Sequence, residues 1–315
     1  MRNKHMEIIS ELSGIVDPER VVTDESILKQ DSIDRFRRFE GNFGIYKQPY
    51  PIAIVFAQST AEIAAVLEYA SERKVNIIPR TGQTATEGGL ETVVDTSIIL
   101  DASYMNSILE IDAYNMQATA QCGVPLQKLE DEARKKGLTT GHSPQSKPLA
   151  HMGGLTATRS IGQFSTLYGG IEDMIVGLEC VFPNGHVSRI KNVPRRAAGP
   201  DIRHIAIGNE GALCFITEVT VKLFPYYPEN ISFVGYTLDT MKTGFTILQR
   251  VMSAGYKPSV ARLYDEEDGN YHFSHFSEGR CVLLFASEGP KAIADATTEA
   301  IRGIVAEYDE CREVA

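Results

Sequence analysis

The pattern of apolar and polar positions predicts a β-α-β unit early in the chain. Continuous apolar runs at Ile52–Ala57 and Val75–Pro79 are typical of buried strands. Between them, polar capping residues precede apolar positions at helical spacing, so a helix is predicted over Thr60–Arg73. The second strand leads directly into a glycine-rich run, Pro79–Gly89.

The same reasoning predicts a mixed α+β architecture for the rest of the chain. Further strands are predicted at Ser97–Asp101, Ile108–Asp112, Met116–Cys122, Val176–Phe182, His186–Ile190, Phe215–Phe224, Ile231–Leu238, Ser259–Tyr264 and Cys281–Ala286. Further helices are predicted at Pro125–Lys136, Thr240–Ala254 and Lys291–Tyr308. We therefore predict a helical leader over residues 1–45, a first domain over 46–226 and a partial second domain over 227–315, whose last helix no strand follows.

The run Pro79–Gly89 has the composition of a loop that holds a diphosphate. Its three glycines allow the chain to approach a ligand closely, and its threonine hydroxyls and amides supply hydrogen-bond donors. The run matches neither a Walker loop nor a dinucleotide fingerprint. Nucleotide binding is therefore the first hypothesis, and an ordinary glycine-rich turn is the alternative.

Composition and charge narrow the class of protein. At 315 residues the chain is long enough for about two domains. The net charge of -10 repels nucleic-acid phosphates and anionic lipids, so no nucleic-acid partner is expected. The five cysteines are widely spaced, which disfavours a disulfide framework or a zinc site. Neither a signal peptide nor a run of apolar residues long enough for a transmembrane segment is present, so we expect a cytoplasmic protein.

Several loops resemble those of a known family in their order and spacing. The string GHSPQS, then the pair Gly153 and Gly154, then ATRSIGQFSTLYGGIEDMIVGLE, resembles the FAD-binding domain of the vanillyl-alcohol oxidase and p-cresol methylhydroxylase (PCMH) superfamily. Within it, the sequence is most similar to the branch of alkyl-dihydroxyacetone-phosphate synthase and its glycolate oxidase-like bacterial relatives. The resemblance implies an α+β fold, with a PCMH-type two-subdomain FAD-binding domain followed by an incomplete ferredoxin-like α+β cap domain.

The resemblance also implies which residues contact FAD. The diphosphate loop falls on Pro79, Arg80, Thr81, Gly82, Gln83, Thr84 and Ala85. The stretch beside the isoalloxazine and ribityl chain falls on Gln145, Ser146, His151, Gly153 and Gly154, and the next contact on Thr158, Arg159, Ser160 and Ile161. The adenosine half falls on Glu210, Gly211, Ile216 and Glu218. Backbone amides would bind the diphosphate while apolar strands hold the rings.

Three departures from the family pattern affect these expectations. The family loop usually reads Gly-Gly-Gly-Thr-Ser, whereas Thr81–Ala85 keeps one glycine of the three and lacks the final hydroxyl, so weaker or differently shaped binding is expected. No histidine lies in Pro79–Gly89 for covalent attachment, so non-covalent FAD is expected. His151 stands where relatives commonly carry Ser or Thr, and it is either a flavin-side group or a hydrogen-bonded structural histidine.

On the substrate side, Arg262 is the predicted catalytic residue. It matches an Arg-Leu-x-Asp pattern of the family's cap domain, which implies an arginine directed at the substrate or the flavin. A guanidinium binds a carboxylate or phosphate bidentately, so an anionic small-molecule substrate is expected. The alternative is a surface salt bridge with Asp265 or Glu266. His272 and His275 have no third ligand at fixed spacing, so no metal site is predicted.

Three hypotheses for the function follow from the resemblance. The first is an FAD-dependent oxidoreductase that transfers a hydride from a 2-hydroxy acid or similar alcohol to flavin N5. The second is a non-redox flavin transferase like alkylglycerone-phosphate synthase. The third is a non-catalytic FAD-binding fragment or subunit. Because relatives continue well beyond the position that matches Ala315, we expect either a truncated product or a companion chain that supplies the missing part of the cap; no electron acceptor is indicated.

Overall fold

The computed structural model describes residues 2–34, 49–193, 195 and 197–314. The chain divides into two units that are described separately below. Unit 1 comprises Met1–Lys136, Gln145–Ser160 and Ile171–Leu223, and unit 2 comprises Gly137–Pro144, Ile161–Gly170 and Phe224–Ala315. The predicted boundary after residue 226 lies near Leu223, but two earlier segments belong to unit 2. Residues 35–45 of the predicted leader lie outside the described residues.

The described residues contain both strands and helices. The strands are β1 (Val21–Val22), β2 (Ala53–Phe56), β3 (Asn76–Arg80), β4 (Ser97–Asp101), β5 (Ile108–Asp112), β6 (Gln117–Gln121), β7 (Leu138–Thr139), β8 (Ile175–Val181), β9 (Val187–Ile190), β10 (Phe215–Lys222), β11 (Phe224–Pro225), β12 (Ser232–Leu238), β13 (Val260–Tyr264), β14 (Cys281–Ser287) and β15 (Arg312–Glu313). The helices are α1 (Arg2–Ile15), α2 (Glu25–Asp31), α3 (Thr60–Arg73), α4 (Leu126–Arg134), α5 (Met152–Ala157), α6 (Ser165–Tyr168), α7 (Ile171–Met174), α8 (Arg203–Ala206), α9 (Met241–Ser253), α10 (Glu266–Phe273) and α11 (Lys291–Val305).

The predicted β-α-β unit forms the first sheet of unit 1. The strand order is β1-β2-β4-β3, with β2 and β3 each parallel to β4 and β1 antiparallel to β2. The predicted helix Thr60–Arg73 is confirmed as α3. Its first turn is capped by Ser59, whose Oγ accepts from the Glu62 amide at 3.2 Å. The helix ends where Lys74 adopts a left-handed backbone with φ of 55°.

The leader helix α1 is part of the hydrophobic core of unit 1. Ile8 and Leu12 are 3% and 0% exposed, and they belong to the same cluster as Val66 of α3 and Val55 of β2. Each side chain of this size that is fully buried contributes about 1.5–3 kcal/mol through the hydrophobic effect. The predicted leader therefore stabilises the first sheet through its apolar face.

The second sheet of unit 1 is antiparallel, with the order β5-β6-β10-β8-β9. Its strand β8 is buried along its whole length. The pairing of β10 with β8 shifts register between Ile216 and Glu218 and again between Thr220 and Val221. Such irregularities change which face of the sheet consecutive side chains occupy.

Unit 2 contains a four-stranded antiparallel sheet with the order β13-β14-β12-β15, and a short pairing of β7 with β11. The prediction that no strand follows the last helix was wrong, because β15 follows α11 and pairs with β12. Helices α9 and α11 pack on one face, where Ile247 and Ile301 meet Leu283 and Phe285 of β14. The helix α10, which the sequence pattern did not predict, follows β13 and is capped by Asp265, whose carboxylate accepts from the Asp268 amide at 2.9 Å. No helix in the described part of the chain is long and apolar enough to cross a lipid bilayer.

Candidate functional site

Unit 1 contains a cavity of about 240 Å³ at the end of β3. Its wall comes from the loop after β3, from Ser146 and His151, from the region of α5, and from the turn before β10. These are four of the segments that the sequence predicted to meet the cofactor. The structure therefore brings residues separated by more than a hundred positions to one site.

The loop after β3 presents backbone donors to this cavity. Within the described residues, the amides of Thr81, Gly82, Gln83 and Thr84 donate to no acceptor. Gln83 adopts a left-handed backbone with φ of 52°, although it is not glycine. Successive amides around such a residue form a concave arrangement that favours an anion. The loop keeps this conformation despite having glutamine where the family usually has glycine.

Gly82 and Gly211 allow the loop after β3 to pack closely against the neighbouring segments. A Cβ atom at Gly82 would lie 2.6 Å from the Leu149 carbonyl oxygen and 2.9 Å from the His151 amide nitrogen. A Cβ atom at Gly211 would lie 2.0 Å from Cγ of Pro79, and the φ of Gly211 is 83°. All three distances are far below van der Waals contact. The cavity wall is therefore closely packed backbone that tolerates no side chain at either position.

Asn209 organises the turn before β10, and sequence reasoning did not assign it a role. Its Oδ1 accepts from the amides of Gly211, Leu213 and Cys214 at 3.0, 3.3 and 3.3 Å. The side chain is almost fully buried. Asparagine side chains commonly stabilise turns by accepting hydrogen bonds from nearby amides. Asn209 directly after Gly208 was therefore the sequence signal that could have indicated this role.

The predicted contact Arg80 lines the cavity, but its guanidinium is already paired. Nε donates to Asp101 Oδ2 at 2.5 Å, and Nη1 donates to Asp31 Oδ2 at 3.0 Å. The Arg80 and Asp101 side chains are 4% and 3% exposed. Two carboxylates therefore neutralise this guanidinium, and its contribution to the cavity is packing beside Phe56, whose ring centroid lies 6.0 Å away.

His151 lies at the N-terminal end of α5 with one ring nitrogen buried and unsatisfied. Its Nδ1 has no hydrogen-bond partner among the described residues. Burial lowers the pKa of His151 from its ordinary value of 6.5, and the negative charge of Asp101 opposes that shift. The imidazole is therefore neutral at neutral pH. Gln83 Nε2, in the same cavity wall, is also buried without a partner.

Most of the predicted cofactor residues line this cavity. They are Pro79, Arg80, Thr81, Gly82, Gln83, Thr84, Ala85, Ser146, His151, Gly153, Gly154, Thr158, Ser160, Glu210, Gly211 and Ile216. Further lining residues are Thr86, Glu87 and Gly89 of the predicted run Pro79–Gly89, and Leu90, Leu155, Ala157, Cys214 and Phe215, none of which the sequence assigned to FAD individually. They lack a distinctive chemistry, and only their nearness in sequence to the predicted positions could have indicated them.

Four predicted residues are not part of the cavity wall. Gln145 is exposed beside Ser146, and Ile161 belongs to unit 2 and is 60% exposed. Arg159 pairs with Glu172 at 3.2 Å, and Glu218 accepts from Arg189 at 2.6 Å. Their roles as FAD contacts stay predictions.

In unit 2, Arg262 lies on the face of the sheet opposite α9 and α11. Its neighbours Ala261 and Leu263 pack into the core beneath those helices, so alternation along β13 directs Arg262 to the other face. There Nη1 donates to the Tyr264 hydroxyl at 3.2 Å. The predicted alternative, a salt bridge with Asp265 or Glu266, is absent from the described ion pairs, since Asp265 caps α10. His272 and His275 contact aromatic rings, of Tyr271 and Phe276 respectively.

Comparison with known proteins identifies the family. Residues 51–191 match the family model described as an FAD binding domain. The Escherichia coli (strain K12) protein named "Uncharacterized FAD-linked oxidoreductase YgcU" is 63% identical over 307 residues, covering 98% of this chain and 63% of that protein. Residues 51–191 therefore form an FAD binding domain of this family. The chain spans less than two thirds of the length of this relative.

More distant members of the superfamily agree with this placement. Glycolate oxidase subunit GlcD of Bacillus subtilis (strain 168) is 28% identical over 268 residues, covering 83% of this chain and 57% of that protein. A structure of alkyldihydroxyacetonephosphate synthase superposes with a TM-score of 0.87 at 27% identity, covering 98% of this chain and 60% of that one. A structure of p-cresol methylhydroxylase, with a TM-score of 0.79 at 16% identity over 100% of this chain and 66% of that one, shares the fold.

FAD is the cofactor of this PCMH-type domain, and the cavity residues fit it. The unpaired amides after β3 suit the anionic diphosphate, because backbone dipoles stabilise negative charge without a nearby cation. The close packing at Gly82 and Gly211 fixes the position of the loop that carries these amides. Gln83 Nε2 and His151 Nδ1 are buried polar atoms that a bound molecule would satisfy. The cofactor when bound supplies a hydride acceptor at flavin N5.

Proposed function

We propose that this chain is part of an FAD-dependent oxidoreductase that oxidises a 2-hydroxy acid or a similar anionic alcohol. The names of the YgcU and glycolate oxidase relatives support oxidoreductase chemistry and a hydroxy-acid substrate. The structural observation that carries the proposal is Arg262, whose guanidinium bonds a neutral tyrosine hydroxyl and leaves its charge without a carboxylate among the described residues. An uncompensated guanidinium is suited to bind an anionic substrate.

In the proposed reaction the protein binds and orients the substrate. Arg262 holds the substrate carboxylate through paired hydrogen bonds, which fixes the carbinol carbon relative to the rest of the molecule. Tyr264 restrains the guanidinium from one side, since its hydroxyl accepts from Nη1. FAD bound by the cavity residues would supply the hydride acceptor for the carbinol C–H bond, and a general base would take the hydroxyl proton, so that the product is a 2-oxo acid.

The test of this proposal is anaerobic reduction of the purified flavoprotein. D-lactate, glycolate and further 2-hydroxy acids are added one at a time while the flavin absorbance is recorded. Bleaching by one of these acids supports the proposal. If FAD stays bound and none of the acids bleaches it, the hydroxy-acid assignment is wrong for this protein.

We expect the substitution Arg262→Met to raise the KM for the hydroxy acid. Losing a charge-assisted hydrogen bond costs about 1.5–3 kcal/mol, which corresponds to a roughly 10- to 150-fold weaker interaction. The flavin content should be unchanged, because Arg262 is outside the residues that line the cofactor cavity. Steady-state kinetics with the acid and with the corresponding uncharged diol measure the effect.

The matched control is Arg302→Met, because Arg302 pairs with Glu313 on the surface of unit 2. This variant should leave the kinetics unchanged. An equal loss of activity toward the acid and the diol in Arg262→Met would show that Arg262 does not recognise the carboxylate.

A second candidate function is ether-lipid synthesis without net oxidation, as in alkyldihydroxyacetonephosphate synthase. It is supported by the TM-score of 0.87 with that enzyme. Arg262 would then bind the phosphate of an acyl-dihydroxyacetone phosphate, since a guanidinium also pairs with phosphate. Incubation with this ester and a long-chain alcohol, followed by mass spectrometry of the lipid product, distinguishes the candidates, because only the second yields an alkyl ether with no net change in the flavin spectrum.

A further inference from the structure

Two of the cysteines lie in contact beside the FAD cavity. Cys180 belongs to β8, and Cys214 directly precedes β10. The pairing of these strands places Ile216 opposite Cys180 and Phe215 opposite Val181. Cys214 is therefore a diagonal neighbour of Cys180. The two thiols hydrogen-bond to each other, and neither is part of a disulfide. Strand pairing thus joins two free thiols that are far apart in the sequence.

The cavity gives access to this pair of thiols. Cys180 and Cys214 are only 2% and 4% exposed. Cys214, however, lines the cavity beside Phe215 and Ile216. Hydrogen peroxide is scarcely larger than water, so it fits into a space of about 240 Å³. A molecule that fills the cavity covers Cys214, whereas an empty cavity leaves the pair open to a small oxidant.

We propose that Cys180 and Cys214 form a redox-sensitive dithiol, which hydrogen peroxide oxidises to a disulfide that weakens FAD binding. In the first step one thiolate attacks the peroxide, the O–O bond breaks, and a sulfenic acid and hydroxide form. In the second step the other thiol attacks the sulfenic sulfur, so that the S–S bond forms and the S–O bond breaks with loss of water. Together the two thiols lose two electrons and two protons, and one peroxide becomes two waters. The proposal does not depend on the substrate assigned above.

The hydrogen bond between the thiols assigns their roles. Donation from Cys214 lowers the pKa of Cys180, so Cys180 supplies the attacking thiolate. The same hydrogen bond raises the pKa of Cys214, which keeps its proton until it attacks the sulfenic acid. Because the two sulfur atoms are already neighbours, the second step is intramolecular and needs no thiol from another molecule.

Closing the disulfide must move the turn before β10. A disulfide holds its sulfur atoms about 2.05 Å apart, closer than any hydrogen bond. Cys180 is held by β10 on one side and by β9 on the other, where it pairs with Ser188. Cys214 lies outside the strand, and Asn209 Oδ1 accepts from its amide at 3.3 Å. The shift therefore falls on Cys214 and on the turn that Asn209 organises.

That turn packs against the loop after β3. Gly211 lies so close to Pro79 that a Cβ atom on the glycine would be 2.0 Å from Pro79 Cγ. Pro79 begins the run whose amides suit the diphosphate. A displaced turn therefore displaces this loop, and the cavity binds FAD more weakly. Because coupling between two sites is reciprocal, bound FAD disfavours the disulfide by the same factor.

The test treats the full chain with hydrogen peroxide, with and without FAD, and then alkylates the remaining thiols under denaturing conditions. Mass spectrometry of the non-reduced digest should find a cross-link between Cys180 and Cys214 in the FAD-free protein. Two of the five thiols should be lost, and dithiothreitol should recover them. Saturating FAD should suppress the cross-link. In a fluorescence titration the oxidised protein should bind FAD about 5- to 150-fold more weakly than the reduced one, with circular dichroism verifying that both are folded.

Cysteine variants separate the disulfide from other effects of peroxide. Cys214→Ser keeps a hydrogen-bonding hydroxyl but cannot form the cross-link, so peroxide should leave its FAD affinity unchanged. Cys180→Ala removes the other sulfur and should give the same result. Cys311→Ser changes a half-buried cysteine of unit 2, outside the cavity lining, and should lose affinity on oxidation as wild type does. No cross-link in the FAD-free wild type, a cross-link with unchanged FAD affinity, or an equal loss of affinity in Cys214→Ser would overturn the proposal.

Discussion

Replacing Gly82 with valine is expected to remove FAD from the purified protein, with less than about a tenth of the wild-type flavin content retained. A Cβ atom alone would meet the Leu149 carbonyl oxygen at 2.6 Å and the His151 amide at 2.9 Å. Both are backbone atoms, so the whole loop must move away from the 149–151 segment. Its amides then lose the position from which they bind the diphosphate. The absorbance ratio of flavin to protein measures the loss.

The control for this variant must be a glycine with free space around it. Gly269 in α10 does not meet this condition, because a Cβ atom there would lie 3.0 Å from the Arg280 carbonyl oxygen and 3.2 Å from Val282. At Gly14, in α1, no heavy atom lies within 4 Å of an added Cβ. Gly14→Ala should therefore retain full flavin content, with Gly82→Ala as its like-sized counterpart. Equal flavin content in these two variants would show that Gly82 does not position the loop.

Replacing Arg80 with methionine is expected to destabilise the protein by about 3–5 kcal/mol, the cost of leaving a buried charge without its partner. Asp101 is 2% exposed and would lose its hydrogen bond from Arg80 Nε. Methionine keeps most of the side-chain length, so the effect is mainly electrostatic. Urea unfolding, followed by circular dichroism with FAD in excess, measures the change in the free energy of unfolding.

Arg73→Met is the control for the buried pair. Arg73 contacts Glu7 and Glu11, but its side chain is 48% exposed, and exposed ion pairs contribute at most about 1 kcal/mol. If Arg80→Met costs no more than Arg73→Met, Asp101 is stabilised by other groups, and the buried pair is not a stability determinant.

Local sequence patterns predicted most regular elements because those patterns coincide with burial. The helix over Thr60–Arg73 has a side-chain cap at one end and a left-handed residue at the other, and both signals are local. The strand Ser97–Asp101 was predicted to the residue. In such segments the apolar periodicity and the end signals specify the same element.

The helices α5 and α10 were missed for different reasons. The short helix α5 contains two glycines, which lower helix propensity, and Gly153 packs so closely on Cys122 that a Cβ atom would lie 2.6 Å from Cys122 Cβ. The helix α10 begins with an acidic first turn and has a single buried residue, Gly269, so its apolar periodicity is weak. Tertiary packing decides α5. For α10 the capping residue Asp265 and the acidic first turn are local signals that the apolar periodicity alone does not report.

Most residues that the sequence assigned to FAD line one cavity, but the chemistry of individual side chains there could not be assigned from sequence. The glycine-rich run after β3 lines the cavity as its composition suggested. The sequence could not show that two carboxylates neutralise the charge of Arg80, because Asp31 and Asp101 come from separate segments. The role of Asn209 was missed for a related reason, since three amide partners become apparent only once the turn is folded.

The interleaving of the two units limits how the protein can be divided experimentally. A fragment ending at Leu223 would contain every residue of the FAD cavity. Within unit 2, however, Tyr168 donates to Glu288 and packs against Phe224, and Thr166 donates to the Pro258 carbonyl oxygen at 2.6 Å. Such a fragment would leave the 161–170 segment without these partners, exposing aromatic surface. A single cut after Leu223 therefore retains unit 1 whole but leaves the 137–144 and 161–170 segments without the rest of unit 2.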